Sequence, residues 1–130
     1  MRIAVLGYGT VGSGVVEVLE KNHDIISARA GKEIEVKYVL DLKDFSGQQI
    51  QEKIVHDYEV ILNDKEVEIV VEAMGGIEPA NAYVKSALLA GKSVVSSNKA
   101  LVAKYGAELM KIAREKNVNF LFEASVGGGI

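Results

Sequence analysis

Residues 2–12 read RIAVLGYGTVG, and this run decides the fold. Arg2 to Leu6 is a short apolar run closed by glycine, the pattern of a strand buried on both faces. It passes directly into Gly7-Tyr8-Gly9-Thr10-Val11-Gly12, a G-x-G-x-x-G. From Val11 to about Ala30 the apolar positions Val11, Val15, Val18, Leu19 and Ile26 recur near helical spacing, with Gly31 as a stop. A strand, this loop and a helix, in that order, are the context in which the motif holds a dinucleotide. Gly7 permits the tight turn, Gly9 lets backbone approach a pyrophosphate, and Gly12 lets helix and strand pack closely. The helix N-terminus adds free N–H groups and partial positive charge. In a chain with 13 glycines the pattern alone is cheap, and a glycine-rich turn that binds nothing is the alternative. The coincidence of all its features favours the dinucleotide.

Outward from the loop, Ile34 to Leu40 (IEVKYVL) predicts a second strand. An acid at the end of that strand grips the adenosine ribose in such folds. Asp41 stands there, farther from the loop than usual, as a long first helix would make it. Such an acid accepts from a 2′-hydroxyl and repels a 2′-phosphate, which favours NAD over NADP. Lys43 pulls the other way, and a plain loop aspartate is the alternative. Asp41 to Asp57 is polar with no firm period. Glu66 to Met74 (EVEIVVEAM) predicts a third strand closed by Gly75-Gly76. Glu78-Pro79 starts a helix that Gly91 ends. Ser93 to Ser96 predicts a strand, and Ala100 to Lys116 an amphipathic helix with Val102, Tyr105, Leu109, Ile112 and Ala113 on one side. Asn119 to Phe122 predicts the last strand. Strands alternating with helices predict βαβ units in one dinucleotide-binding domain over residues 1–130. The fold class is α/β: Rossmann-like and doubly wound, with a mainly parallel sheet and helices on both faces.

Two further clusters end strands on the carboxyl side, where open α/β sheets place their ligands. Gly75-Gly76 would let a ring lie against backbone, or is an ordinary turn. Ser97 or Asn98 makes a good helix cap. Lys99 is a lone cation, either facing the crevice or solvated in a helix's first turn.

Composition narrows the class. The chain has 130 residues, 48% hydrophobic and 25% charged, enough for one globular core. A formal net charge of -3 gives no sign of nucleic acid or an anionic membrane as partner. Absence of cysteine excludes disulfides and thiolate metal sites and fits a reducing compartment. Ile3 to Leu6 is too short for a secretory signal, and no run approaches the roughly 20 apolar residues that span a bilayer. The expectation is a soluble, cytoplasmic protein. His23 and His56 are isolated and receive no role.

GYGTVG, VVEAMGGIEPA, AGKSVVSSNKALVAKYGAEL and FEASVGGGI, in this order and at these spacings, resemble the N-terminal nucleotide-binding part of homoserine dehydrogenases. The resemblance covers essentially the whole chain, and SNKALVA and EASVGGGI are more specific than the glycine loop. It implies an enzyme of the aspartate route to threonine, isoleucine and methionine. Members interconvert L-homoserine and L-aspartate 4-semialdehyde with NAD or NADP. The resemblance implies that Gly7, Tyr8, Gly9, Thr10, Val11 and Gly12 hold the pyrophosphate, with Gly75, Ser97 and Asn98 near the nicotinamide. Lys99 matches the family lysine beside nicotinamide and substrate hydroxyl, one of two implicated in proton transfer. The resemblance also implies a monovalent cation, usually sodium, held by Glu123, Val126, Gly128 and Ile130.

Two departures matter. NADP-using members commonly carry an arginine before the aspartate at the second strand's end. Here Val39-Leu40-Asp41-Leu42-Lys43 has leucine, which favours NAD further. Members also continue past the glycines into a substrate-binding and dimerisation domain that supplies the second lysine and makes the full-length enzyme a homodimer. The expectation is therefore the cofactor half of an enzyme, binding dinucleotide without turnover and by itself a monomer, or else a packing dimer through exposed sheet edge or apolar surface. The alternative is a non-catalytic dinucleotide-sensing module, which would need no lysine at the hydride end.

Overall fold

The computed structural model describes residues 1–123. Its strands are β1 (Arg2–Leu6), β2 (Glu35–Leu40), β3 (Ile54–Val55), β4 (Val67–Glu72), β5 (Ser93–Ser96) and β6 (Phe120–Phe122). All pairings are parallel and the order is β3-β2-β1-β4-β5-β6, the Rossmann order with its switch point between β1 and β4. The helices are α1 (Thr10–Lys21), α2 (His23–Ala30), α3 (Tyr58–Leu62), α4 (Ala80–Leu89) and α5 (Lys99–Lys116).

Both faces of the sheet are covered, as an apolar β1 requires. Ala4 and Leu6 belong to a core with Val84 and Leu88 of α4 and Leu101 and Leu109 of α5. Ile3 and Val5 belong to a second core with Val15 and Val16 of α1. Register aligns Leu40, Leu6, Glu72, Ser96 and Phe122 in one row at the carboxyl edge. The next residue on each strand is therefore Asp41, Gly7, Ala73, Ser97 and Glu123. Sheet register thus gathers the candidate residues from distant parts of the chain.

The single helix expected from Val11 to Ala30 is two. α1 ends at Lys21, Asn22 leaves helical geometry at φ −108° and ψ 22°, and α2 begins at His23. Asn22 Nδ2 donates to the Val18 carbonyl at 3.1 Å, a local bond that competes with helix continuation. No residue of α2 is buried, so the apolar stripe ends with α1. The polar stretch after Asp41 also holds structure. A 3₁₀ turn, Gln49–Lys53, buries Ile50, and Asp57 caps α3 by accepting from Glu59 N–H at 2.9 Å. No helix among the described residues is long and apolar enough to cross a membrane.

Candidate dinucleotide site

The chain leaves β1 at Gly7, where φ is +95° and an added Cβ would lie 3.0 Å from the Ala73 carbonyl oxygen. Its N–H donates to the Leu40 carbonyl at 2.8 Å. At Gly12 a Cβ would sit 1.7 Å from the Gly7 carbonyl oxygen, so no side chain fits where α1 crosses the loop. Gly9 differs. Its φ of −84° suits any residue, and an added Cβ would meet no protein atom within 4 Å. The protein's own packing does not ask for glycine there; close approach of a ligand to backbone would. Gly9 is also the N-cap of α1, with no side chain to bond the first N–H groups and no acid in the first turn. Those donors and the helix dipole suit a pyrophosphate.

Beside the loop lies a cavity of about 420 Å³ whose lining includes Gly7, Tyr8, Gly9, Asp41, Met74 and Tyr83. Asp41 Oδ2 accepts from Tyr8 N–H and Oδ1 from Lys43 N–H, both at 2.9 Å. A carboxylate has about four acceptor sites, so two remain for a ribose diol. Leu40, where the resemblance puts arginine in NADP users, packs into the core. Leu42 stands 92% exposed at the rim of the same cavity. His56, given no role from sequence, also lines it. Its Nδ1 faces the Asp41 carbonyl at 2.7 Å and its Nε2 faces Asp44 Oδ1 at 2.8 Å. A backbone carbonyl and a carboxylate only accept, so the ring satisfies both only as imidazolium. The Asp41 carbonyl first, then Asp44, hold the imidazole above its ordinary pKa. Gln51 and then His56 hold the Asp44 carboxyl below its own.

The other end of the crevice is buried. Glu72 and Ser96 are fully buried, and Asn98 nearly so. Ser96 Oγ donates to Glu72 Oε1 at 2.7 Å, and Met74 N–H donates to Glu72 Oε2 at 2.9 Å. Asn98 Nδ2 donates to Glu72 Oε2 at 3.4 Å and to the Gly76 carbonyl. Asn98 Oδ1 caps α5 by accepting from Leu101 N–H at 3.1 Å, so the cap role expected of Ser97 or Asn98 falls to Asn98. Gly75 and Gly76 are consecutive left-handed residues, φ +76° and +73°. Ser97 N–H donates to the Glu72 carbonyl at 3.2 Å. Lys99 opens α5, exposed, in no ion pair among the described residues. The cavity reaches Met74 but not Ser97, Asn98 or Lys99. Glu123 N–H donates to the Ser96 carbonyl at 2.9 Å. The other residues expected at a cation, Val126, Gly128 and Ile130, lie outside the described residues. Sequence reading missed Glu72; the signal was an acid closing an otherwise apolar strand end.

A larger cavity, about 730 Å³, opens at the opposite, amino edge of the sheet beside Val67 and Ser93. Lys92 lines it, but its ammonium already donates to the Asp64 and Val67 carbonyls at 2.7 and 2.8 Å. Ligands of this fold sit at the carboxyl edge, with the glycine loop.

The family described as homoserine dehydrogenase, NAD binding domain, matches residues 7–123. The chain belongs to that family. Homoserine dehydrogenase of Lactococcus lactis subsp. lactis is 40% identical over 135 residues, covering all of this chain and 32% of that protein. The crystal structure of S. aureus homoserine dehydrogenase at pH 7.5 superposes with a TM-score of 0.87 at 40% identity, over 97% of this chain and 33% of that one. A hyperthermophilic archaeal homoserine dehydrogenase, solved in complex with NADPH, superposes at 0.78 and 26% identity, over 95% of this chain and 44% of that one. The chain spans about a third of the length of the curated relatives it matches. Family and fold agree on a nicotinamide dinucleotide as the ligand class.

Proposed function

We propose that this chain is the cofactor-binding part of a homoserine dehydrogenase, with NAD favoured over NADP. The glycine loop carries the reading: Gly9 leaves open space for a ligand at an uncapped helix N-terminus. The bound dinucleotide supplies the hydride acceptor or donor at its nicotinamide. Backbone N–H groups of Thr10, Val11 and Gly12 face the pyrophosphate, with the Gly7-Tyr8-Gly9 backbone against it, and Asp41, itself held by Tyr8 N–H, accepts from the ribose. Gly75, Ser97 and Asn98 border the nicotinamide. Lys99, started on α5 by the Asn98 cap, places an ammonium near the substrate oxygen, where it stabilises negative charge and exchanges a proton. Glu123, Val126, Gly128 and Ile130 would hold a sodium ion through oxygen ligands. By the resemblance, the second lysine and the acids that grip the amino acid belong to the part of the relatives this chain does not span. The chain alone then binds without turnover. A sensing module is the weaker reading, since it has no use for Lys99 at this end.

Titration with NAD and NADP tests the proposal. Saturable binding with NAD tighter is expected. A folded sample that binds neither removes the claim, and tighter NADP binding overturns the part played by Asp41.

A further inference from the structure

We propose that Glu72 is the positioning residue of the reaction end, joining the Gly75-Gly76 turn to the start of α5 through its buried carboxylate. The inference rests on the dinucleotide reading above and goes beyond it. Glu72 and Ser96 are register partners on β4 and β5, and their side chains meet at 2.7 Å. The same carboxylate receives Met74 N–H, the first step into the glycine turn, and reaches Asn98 Nδ2. Asn98 closes the ring: its N–H donates to Ser96 Oγ at 3.0 Å, its amide to the Gly76 carbonyl, and its Oδ1 caps α5. Turn, strand end and helix start thus share one acceptor, and Lys99 follows directly.

A buried carboxylate is costly unless its partners are supplied, and an apolar side chain would fill the volume with less penalty. What an apolar residue cannot do is hold two loops at a set separation. All partners of the Glu72 carboxylate donate and none accepts. A fully satisfied buried network of this kind rigidifies what it joins. Its effect on the ligand is greatest at the nicotinamide end, because Asp41 and the glycine loop hold the adenosine end and Glu72 reaches the cavity beside them only through Met74.

Glu72→Gln and Ser96→Ala test this in the full chain. The first turns an acceptor into a donor facing donors; the second removes one donor and leaves a milder defect should the first fail to fold. Each is titrated with NADH, following nicotinamide fluorescence, and with ADP-ribose, which lacks the nicotinamide. Both variants are expected to weaken NADH by about tenfold and to lose the emission shift of the bound ring, the scale of one hydrogen bond to a charged group. Affinity for ADP-ribose should stay within about twofold, since neither Glu72 nor Ser96 lines the cavity at the glycine loop. NADH binding and emission like wild type in both variants would overturn the inference. So would parallel loss of both ligands from a folded variant, which marks a general structural residue. Wild-type protein that binds neither ligand sinks the dinucleotide reading itself, and the positioning role with it.

Discussion

At the proposed adenosine end of the crevice, Asp41, Lys43 and Asp44 follow β2 while His56 follows β3, and the His56–Asp44 pair is half or more exposed, 50% and 62% by side chain. At the reaction end, Glu72 and Ser96 are fully sealed from water and bonded to each other. Exposed charge pairs are screened and contribute little to stability, so the first end tolerates change. The buried end cannot change one member without stranding another. On the proposed function, cofactor choice would fall on an adjustable rim and the chemistry on a prebuilt interior.

Gly12 packs against the Gly7 carbonyl where α1 crosses the loop and should show the largest effect. Gly12→Ala puts a methyl 1.7 Å from the Gly7 carbonyl oxygen, so backbone must move. The expected loss is about 3 kcal/mol by urea unfolding, the upper range for overpacking. A loss under about 1 kcal/mol would mean the helix and loop do not meet so tightly. Gly9→Ala should separate binding from folding, since its methyl meets no protein atom. Stability should change by no more than about 1 kcal/mol, the scale of an N-cap exchange. Dinucleotide affinity should fall about tenfold or more, or about 1.4 kcal/mol. Unchanged affinity would remove the main support for a pyrophosphate at this loop.

Asp41→Asn comes next and acts on the rim alone. Asparagine keeps one acceptor of the two that Tyr8 and Lys43 use, and removes the charge. NAD should weaken several-fold, about 1 kcal/mol for one hydrogen bond, while NADP weakens less or gains. The ratio of the two dissociation constants is the measurement. A ratio that does not move would show that Asp41 is a loop residue, the alternative weighed from sequence.

What sequence could reveal follows from the range of each interaction. Strand, glycine loop and the start of α1 were legible because the signals are contiguous and Gly12 admits no substitute. The position of Asp41 was legible as a strand end, but its carboxylate's hold on Tyr8 was not. The helix break at Asn22 was hidden because Ile26 continues the helical period by chance, half-buried on a helix with no buried residue. β3, two residues long, is too short for any alternation to show. Glu72 stayed hidden because its burial depends on Ser96, 24 residues away in sequence and adjacent only through sheet register. The partners of His56 on the Asp41–Asp44 loop are likewise brought close only by β3 pairing with β2.

His56 should give the smallest effect, and its sign distinguishes the two ends. Its folded pKa is raised above the ordinary 6.5, by the Asp41 carbonyl first and then by Asp44. Stabilisation from the imidazolium is therefore full below pH 6.5 and is lost as pH rises through the raised value. Asp44 works in the opposite sense. Its depressed pKa contributes stability above its ordinary 3.8, lost as pH falls through the lowered value. The pair is worth most between those limits, and little in total because both side chains face water. Melting temperature should thus drop slightly from pH 6 to pH 8 in the wild type, and the drop should shrink in His56→Ala. Proton NMR of the ring should place its titration above the ordinary histidine range. A wild-type melting profile matched by His56→Ala would show that the loop is not clasped through this ring. With Asp41 then held by Tyr8, Lys43 and the Val55 carbonyl but not by the ring, the rim would be looser still, and its contrast with the Glu72 network sharper.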